Sequence, residues 1–419
     1  RLTASLGKRT QELAGIGLTG QQHGVVLVDR TLKPQGPFIN WQDRRTEDLD
    51  PQSGQSWLAL ARHRAGQDAR RTTGCTLAAG YMGATLFWLQ AQEFPLRERT
   101  ACFLVDFMAA RLTGESVATD ATSAASSGLF DVRSGVWHEP LIEALGLPVE
   151  LFPQVREGGR PHGQLSPQVA EATGLPAGLP VCVGVGDNQA SVYGSVAELE
   201  ASVLVNVGTG GQVAAFSDRF LYGERLETRP FPGGFLLVSA GLCGGRTYAL
   251  LEQFFRQVCD LRGEAPPDSM FETMNRLAAG VPRGADGLCC NPLFTGTRSQ
   301  SELRGSFEGI SGDNFTPAHI TRSLLEGMAR VFAGGAQEIE AVEGKPRRQL
   351  VGAGNGLREN PVLADCVALE FALPLAVPCH REEAAFGAAL LAAVGLGAIA
   401  DRQAAAQLIR YERVGNSGV

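Results

Sequence analysis

The sequence lacks the long apolar runs and the surplus of basic residues that mark several classes of protein. No stretch reaches the roughly 18 to 20 apolar residues of a membrane span, and none is typical of a signal peptide. The longest candidate, residues 384–400, is interrupted by three glycines. The net charge of -7 disfavours nucleic-acid and anionic-membrane partners, because both favour a basic surface. We therefore expect neither kind of partner.

Paired cysteines and clustered metal ligands are also missing. The nine cysteines include no C-x-x-C motif, and the six histidines are scattered without metal-ligand spacing. An odd number of cysteines without such pairing is typical of reduced, buried thiols in a cytoplasmic protein. We expect free cysteines, a cytoplasmic location and no metal held confidently by side chains.

Glycine, by contrast, is abundant, with 52 residues in a chain of 419. Such a content indicates many tight turns and close backbone approaches, as in α/β proteins that handle phosphates or sugars. The length suggests two or three domains at roughly 100 to 200 residues each. We expect an α/β fold with two domains, residues 1–197 and 198–419.

One acidic residue, Asp187, stands at a point that suits catalysis. It follows the apolar run of residues 179–183 and a G-V-G turn, and small residues that can start a helix come next. A carboxylate at the end of a buried strand can serve as a general base. The same pattern fits a helix N-cap, since Asp is a preferred cap residue.

Two polar segments of the first half follow short apolar strands. Residues 20–24, G-Q-Q-H-G, lie between two such strands and fit either a cleft-facing turn or a hairpin turn. Residues 41–45, W-Q-D-R-R, combine an aromatic ring, an acid and two bases that can bracket sugar hydroxyls. This second segment also fits a helix start with solvated arginines. A further acid, Asp106, lies in the strand-and-helix segment 101–112.

Glycine-rich turns recur in the second half. Residues 208–211, G-T-G-G, connect two predicted strands and can cradle phosphate. They do not fit a dinucleotide-binding fingerprint, because no helix follows the glycines. Residues 352–356, G-A-G-N-G, follow another strand, and the strand of residues 287–294 runs into a turn at Gly296. Together these turns predict a nucleotide site.

The order of these motifs resembles the FGGY carbohydrate kinases of the actin-like ATPase superfamily. Residues 305–310, G-S-F-E-G-I, and 319–326, H-I-T-R-S-L-L-E, agree with the second signature of that family. Residues 82–89 carry half of the first signature, with Leu86 where most members have lysine. The G-Q-Q-H-G segment is similar to the G-Q-M-H-G of xylulokinases and sedoheptulokinases, with Gln22 in place of methionine.

The resemblance implies two actin-like ATPase (ribonuclease H-like) domains around a central cleft. It implies that Asp187 takes the proton of a terminal hydroxyl of a ketose, sedoheptulose or xylulose, as ATP phosphorylates that hydroxyl with Mg²⁺ on its phosphates. The expected sugar-binding residues are Gln21, Gln22, His23, Trp41, Asp43, Arg44, Asp106 and Asn188. The expected nucleotide-binding residues are Gly208, Thr209, Gly210, Gly211, Gly296, Gly352, Gly354 and Asn355. A homodimer is left open.

One family element, a D-x-G-T-T strand and hairpin, has no match before Leu18. We therefore expect a first domain that is incomplete at its N-terminus, with an exposed sheet edge and weak or no kinase activity in the chain as given. A non-catalytic sugar-binding regulator is the alternative from another class. An actin-like or chaperone-type ATPase is disfavoured, because it leaves His23, Trp41 and Asp43 without a role.

Overall fold

The computed structural model describes residues 5–261, 263, 268–297 and 302–413. The strands are β1 Thr19–Gly20, β2 Val26–Val28, β3 Thr100–Cys102, β4 Ala118–Thr119, β5 Phe130–Asp131, β6 Val136–Trp137, β7 Gln154–Val155, β8 Pro161–Gln164, β9 Pro180–Cys182, β10 Val185–Gly186, β11 Ser202–Val207, β12 Gly211–Ser217, β13 Glu227–Phe231, β14 Gly234–Leu242, β15 Cys289–Asn291, β16 Ser306–Glu308, β17 Gln349–Ala353, β18 Leu375–Pro378 and β19 Tyr411–Arg413.

The α-helices are α1 Trp57–Ala65, α2 Ala69–Thr73, α3 Met82–Ala91, α4 Leu104–Thr113, α5 Ala121–Ala125, α6 Glu139–Ala144, α7 Pro167–Thr173, α8 Asp187–Ser195, α9 Gly245–Asp260, α10 Phe271–Ala279, α11 Pro317–Glu343, α12 Asn355–Arg358, α13 Pro361–Phe371, α14 Glu383–Gly395 and α15 Arg402–Ala406. Single 3-10 turns cover Gly7–Glu12, Arg45–Glu47, Val149–Leu151 and Ala285–Gly287. None of the helices in the described ranges could span a membrane.

The second half is built on a seven-stranded sheet in the order β13-β14-β12-β11-β17-β18-β19. β11 pairs in parallel with β17 and antiparallel with β12, so the predicted strand, glycine turn and strand form a hairpin. Side chains of β11 alternate between two cores. Val205 packs in the cluster that contains Phe332 of α11, whereas Leu204 packs in the one that contains Val192 of α8 and Leu390 of α14. Helices therefore cover both faces of this sheet, as expected for a ribonuclease H-like domain.

The first half has short strand pairs in place of a wide sheet. β1 pairs in parallel with β10, and the other pairs are β2 with β3, β4 with β7, β5 with β6 and β8 with β9. In the described part of the chain β1 pairs with β10, and the incomplete N-terminus of the first domain with its exposed sheet edge stays a prediction. The core of this half rests on the helices, where Met82, Leu86 and Phe103 are buried.

A close helix crossing joins the two halves. α14, from the end of the chain, packs on α8, and a Cβ at Gly387 would lie 1.8 Å from the carbonyl oxygen of Ala190. A Cβ at Gly194 would lie 2.4 Å from the carbonyl oxygen of Glu383. Only glycine fits at both positions, because the two helix backbones touch. This contact fixes α8, the helix that begins with Asp187.

Candidate active site

Asp187 is the first residue of α8 and follows β10 directly. The N-cap position belongs to Gly186, so the cap interpretation of Asp187 is wrong, and the carboxylate is left for another role. Its Oδ1 accepts a hydrogen bond of 2.8 Å from the N–H of Asn188. Burial raises the pKa of the Asp187 carboxyl, and this N–H and the charge of Arg229 lower it in part. A carboxylate whose affinity for protons is raised in this way suits a general base.

A buried hydrogen-bond network fixes the chain just before Asp187. The N–H of Gly186 donates to Thr122 Oγ1 at 2.8 Å, and Thr122 Oγ1 donates to Asp120 Oδ1 at 2.9 Å. Gln22 Nε2 donates to the carbonyl oxygen of Thr122 at 2.7 Å. A Cβ at Gly186 would lie 2.3 Å from Gln22 Nε2, which explains the glycine before the acid. The small polar residues around Thr122 therefore hold the backbone just before Asp187 in place.

The G-Q-Q-H-G turn holds a histidine against the same network. β1 and β2 pair with β10 and β3, not with each other, so the hairpin interpretation is wrong. His23 has a left-handed φ of 74°. Its Nδ1 donates to the carbonyl oxygen of Ser126 at 2.8 Å, and its ring stacks on Tyr81 at 4.1 Å between centroids. Gln22 is buried, whereas Gln21 is partly exposed.

The second half contributes an ion pair that sequence reasoning missed. Arg229 Nη2 lies 2.6 Å from Glu227 Oε2, and both side chains are about nine-tenths buried. Arg229 Nη1 donates to Asn188 Oδ1 at 2.8 Å. The backbone of β13 is tied to the first half, since Thr228 N–H donates to the carbonyl oxygen of Gly74 at 3.0 Å. The i, i+2 spacing of Glu227 and Arg229, which places both side chains on one face of a strand, was the sequence feature that could have predicted this ion pair.

Several of these groups enclose a small cavity between the two halves, whereas Asp187 and Asn188 are not among the residues that line it. Gln189, the third residue of α8, also lines it and was missed by sequence reasoning. The wall is polar on both sides, and its residues are Gln22, His23, Thr73, Cys75, Tyr81, Thr122, Ala125, Ser126, Gln189, Glu227, Thr228 and Arg229.

The W-Q-D-R-R segment is not part of this cavity wall. Arg45 binds both oxygens of Asp43 at 2.8 Å, and this pairing lowers the pKa of the Asp43 carboxyl. Arg44 is exposed and pairs with Glu47 beside a 3-10 turn, which fits the helix-start alternative, but Arg45 is partly buried against Asp43 and does not. Trp41 is half exposed. Its carbonyl oxygen abuts Gly80, the neighbour of Tyr81, so the segment borders the cavity through its backbone.

Asp106 lies in the interior, away from the cavity wall. It is fully buried in the first turn of α4, and its Oδ2 accepts from the N–H of Phe103 at 3.1 Å. Burial raises the pKa of the Asp106 carboxyl well above its usual value. This arrangement closes the N-terminus of a helix.

A much larger cleft, of about 980 Å³, opens in the second half. Of the predicted nucleotide-binding residues, Gly208, Thr209 and Asn355 line it. Gly210 and Gly211 complete the turn, and the carbonyl oxygen of Gly208 accepts from Gly245 N–H at 2.9 Å. This bond links the phosphate-type turn to the start of α9.

The remaining predicted glycines occupy different positions. Gly354 shapes the backbone beside the cleft: its φ is +83°, and a Cβ there would lie 2.5 Å from the carbonyl oxygen of Val207. Gly352 lies within β17, against Leu357 and Leu375. Gly296 is not among the residues that line the cleft.

An aromatic wall of the cleft was not predicted. The rings of Tyr248 and Phe271 stack at 5.5 Å, and the Tyr248 hydroxyl donates to Asn275 Oδ1 at 2.6 Å. Arg246 and Glu272 also line the cleft. The partly exposed Phe271 at the start of an amphipathic helix was the one local signal for this wall.

Metal ligands and cysteines complete the inventory of reactive groups. Within the described residues, no group of three His, Cys, Asp or Glu side chains is placed to hold a metal ion. All nine cysteines are free, and six of them are buried.

The chain matches a known protein family in both halves. Residues 2–194 match the N-terminal domain of the FGGY family of carbohydrate kinases, and residues 204–396 match its C-terminal domain. The chain belongs to the FGGY family of carbohydrate kinases. The resemblance seen in the sequence is confirmed, as are the two-domain actin-like fold and the assignment as a kinase.

The chain is similar to members with different named substrates. It is 28% identical to a sedoheptulokinase of Homo sapiens, over 91% of this chain and 81% of that protein. It is 30% identical to a glycerol kinase of Trichlorobacter lovleyi, over 98% of this chain and 81% of that protein. The crystal structure of a xylulose kinase from Rhodospirillum rubrum superposes with a TM-score of 0.85 at 26% identity, covering all of this chain and 83% of that one. The domain boundary at residue 197 and the role of each site residue stay predictions.

Proposed function

We propose that this FGGY kinase transfers the γ-phosphoryl group of ATP to a terminal hydroxyl of a ketose, sedoheptulose or xylulose. The observation that carries the proposal is the position of Asp187, a carboxylate with a raised pKa at a strand end between the two halves. The similarity to a sedoheptulokinase and to a xylulose kinase supports the ketose.

Asp187 acts as the base in this proposal. Its free carboxylate oxygen accepts the proton of the sugar hydroxyl as that oxygen forms a bond to the γ-phosphorus and the bond to the leaving ADP oxygen breaks. Gln22, His23 and Asn188 hold the sugar in this proposal, since Gln22 and His23 line the cavity and Asn188 follows Asp187 in α8. The rigid hydrogen bonds to Thr122 and Ser126 keep these groups in place, so catalysis depends on positioning.

ATP occupies the large cleft of the second half. Its volume is at the upper end of the about 300 to 1,000 Å³ of typical small-molecule pockets. In the 208–211 turn the N–H of Gly208 donates to the carbonyl oxygen of Gly210 at 3.0 Å, and the N–H groups of Thr209 and Gly210 can meet phosphate oxygens. The Tyr248 and Phe271 rings offer a flat wall to a base. Mg²⁺ bound to the phosphates would supply charge neutralisation when ATP is present.

A coupled assay of ADP release tests the proposal. We expect ADP release from the full-length protein that depends on a C5 to C7 ketose, together with a phosphorylated sugar product. ATP binding and ketose binding without any turnover would contradict it and favour the non-catalytic sugar-binding regulator. A homodimer and a cytoplasmic location stay predictions, and gel filtration with light scattering tests the first.

A further inference from the structure

The cavity beside Asp187 contains an amide with no hydrogen-bond partner. Gln189 is 2% exposed, and among the described residues neither its Oε1 nor its Nε2 has a partner. The Nδ2 of Asn188 is buried and without a partner in the same sense. An unsatisfied buried amide costs about 1 to 3 kcal/mol, so this group calls for a partner from outside the chain, either an ordered water or a ligand that displaces it.

The chemistry of this amide limits what the ligand can be. A glutamine side chain offers one acceptor and one donor side by side. An α-hydroxy ketone, HO–CH₂–C(=O)–, presents the matching pair, because its hydroxyl donates and its carbonyl accepts. A polyol such as xylitol has a second hydroxyl in place of the carbonyl, and although the hydroxyl oxygen can accept, its O–H is an extra donor that faces the N–H donors of Gln189 and Arg229. Arg229, on the opposite wall, adds a fixed N–H donor and is held by Glu227.

We propose that Gln189, together with Arg229, recognises the α-hydroxy ketone end of the sugar and so selects ketoses over polyols. This inference rests on the proposed function, in which Asp187 receives the other end of the sugar. Asp187 and Gln189 are two residues apart in the first turn of α8, so their side chains point to different sides of the helix end, towards opposite ends of one sugar in this proposal.

Entry of the sugar requires movement of β13. The cavity has a volume of about 10 Å³, room for one water molecule. Arg229 bonds Asn188 across the junction, and Thr228 bonds Gly74. We expect these cross-domain contacts to open when a ketose enters and to close again on its carbonyl, which couples sugar recognition to domain closure.

Sugar binding by the full-length protein, measured by calorimetry, tests the proposal without relying on turnover. The probes are three sugars. D-xylulose has the complete α-hydroxy ketone, xylitol lacks its carbonyl, and 1-deoxy-D-xylulose lacks its C1 hydroxyl. We expect the wild-type protein to bind D-xylulose at least about tenfold more tightly than either analogue. Gln189→Leu should bind all three sugars within about threefold of one another.

Thermal unfolding separates recognition from damage to the fold. Gln189→Leu removes an unsatisfied buried amide, so its Tm should equal or exceed that of the wild type. Gln189→Glu, which keeps the size and the acceptor of the side chain but loses the donor, should lose the preference over xylitol and keep the preference over 1-deoxy-D-xylulose. Gln90→Leu makes the same chemical change at an exposed position of α3 and should alter neither binding nor Tm.

The outcomes distinguish this inference from the proposed function. Persistent discrimination in both Gln189 variants, or none in the wild type, overturns the inference even if D-xylulose is phosphorylated. Discrimination that depends on Gln189 but comes without phosphoryl transfer supports the inference and overturns the kinase proposal. A protein that binds none of the three sugars overturns the inference and the xylulose form of the proposed function, and ADP release with sedoheptulose then decides the remaining form.

Discussion

The cavity beside Asp187 and the cleft of the second half meet their ligands by different means. Side chains line the cavity, several of them buried and polar, and its volume of about 10 Å³ is that of one water molecule. The cleft is roughly a hundred times larger, and glycines of its turn region expose the backbone. We therefore expect chemistry in the cavity to depend on which side chains are present. Binding in the cleft should depend on glycines, which have no side chain.

The reason lies in what each ligand offers. A sugar is neutral and differs from its relatives by single hydroxyl or carbonyl groups, which only directed side chains can distinguish. Phosphates are charged and alike in all nucleotides, so backbone N–H groups suffice. Five substitutions test this contrast.

Asp187→Asn should have the largest effect. We expect turnover to fall by about 10²- to 10⁴-fold, with sugar affinity retained, because the amide cannot accept the proton. Steady-state kinetics measures this, and turnover close to that of the wild type would show that another group is the base.

The same variant has a stability signature. Because folding raises the pKa of Asp187, the charged form is disfavoured in the folded state. That cost is fully present above the folded pKa and vanishes below the unfolded pKa. Asp187→Asn should therefore unfold at a higher temperature than the wild type at pH 8, and the difference should shrink as the pH falls through the folded value.

A pair of glycine substitutions tests the backbone side of the contrast. Gly354→Ala forces a side chain into a left-handed φ and onto the carbonyl oxygen of Val207, and should destabilise the fold by about 1 to 3 kcal/mol. Gly208→Ala meets no atom closer than 4.0 Å, so it should fold normally but bind ATP more weakly. Thermal unfolding and ATP titration are the measurements. Equal Tm losses in the two variants would mean that both glycines are structural.

Arg229→Gln should have a moderate effect on the pH dependence. Removing the positive charge near Asp187 raises the pKa of the carboxyl further. The charged groups that face this region from β13 are Glu227 and Arg229, and His23 faces it from the G-Q-Q-H-G turn. The acidic limb of kcat/KM should therefore move to higher pH. An unshifted limb would mean that Arg229 does not sense the titrating group.

Asp106→Asn should have the smallest effect. The amide oxygen can still accept from Phe103 N–H, and asparagine mimics the protonated carboxyl that burial favours. We expect a stability change of about 1 kcal/mol or less and an unchanged KM for the sugar. A large rise in KM would restore the sugar-binding role predicted from the sequence.

Some features followed from the sequence because their signals are local. The signature at residues 305–310 and 319–326 and the strand-to-glycine turns are contiguous, so they identified the family and the fold before any contact was known. The turn at residues 208–211 was recognised because its two strands pair directly.

Other features depended on contacts between distant segments. Residue Thr19 pairs with Val185, and this register decided that the G-Q-Q-H-G turn is not a hairpin. Arg45, two positions from Asp43, forms an ion pair with the Asp43 carboxylate. No spacing rule indicated that Asp43 would pair with Arg45.

The sequence by itself determined the family, the α/β architecture and the candidate base. These features depend on hydrophobic runs, glycines and one acid that are close together along the chain. The tertiary structure decided which groups surround that base. The side-chain amide of Gln189 has no hydrogen-bond partner among the described residues because the side chains packed around it offer none. Arg229 reaches Asn188 because β13 extends to the other half. Burial and long-range pairing are properties of the folded chain, and they set the pKa of Asp187 and the shape of the cavity beside it.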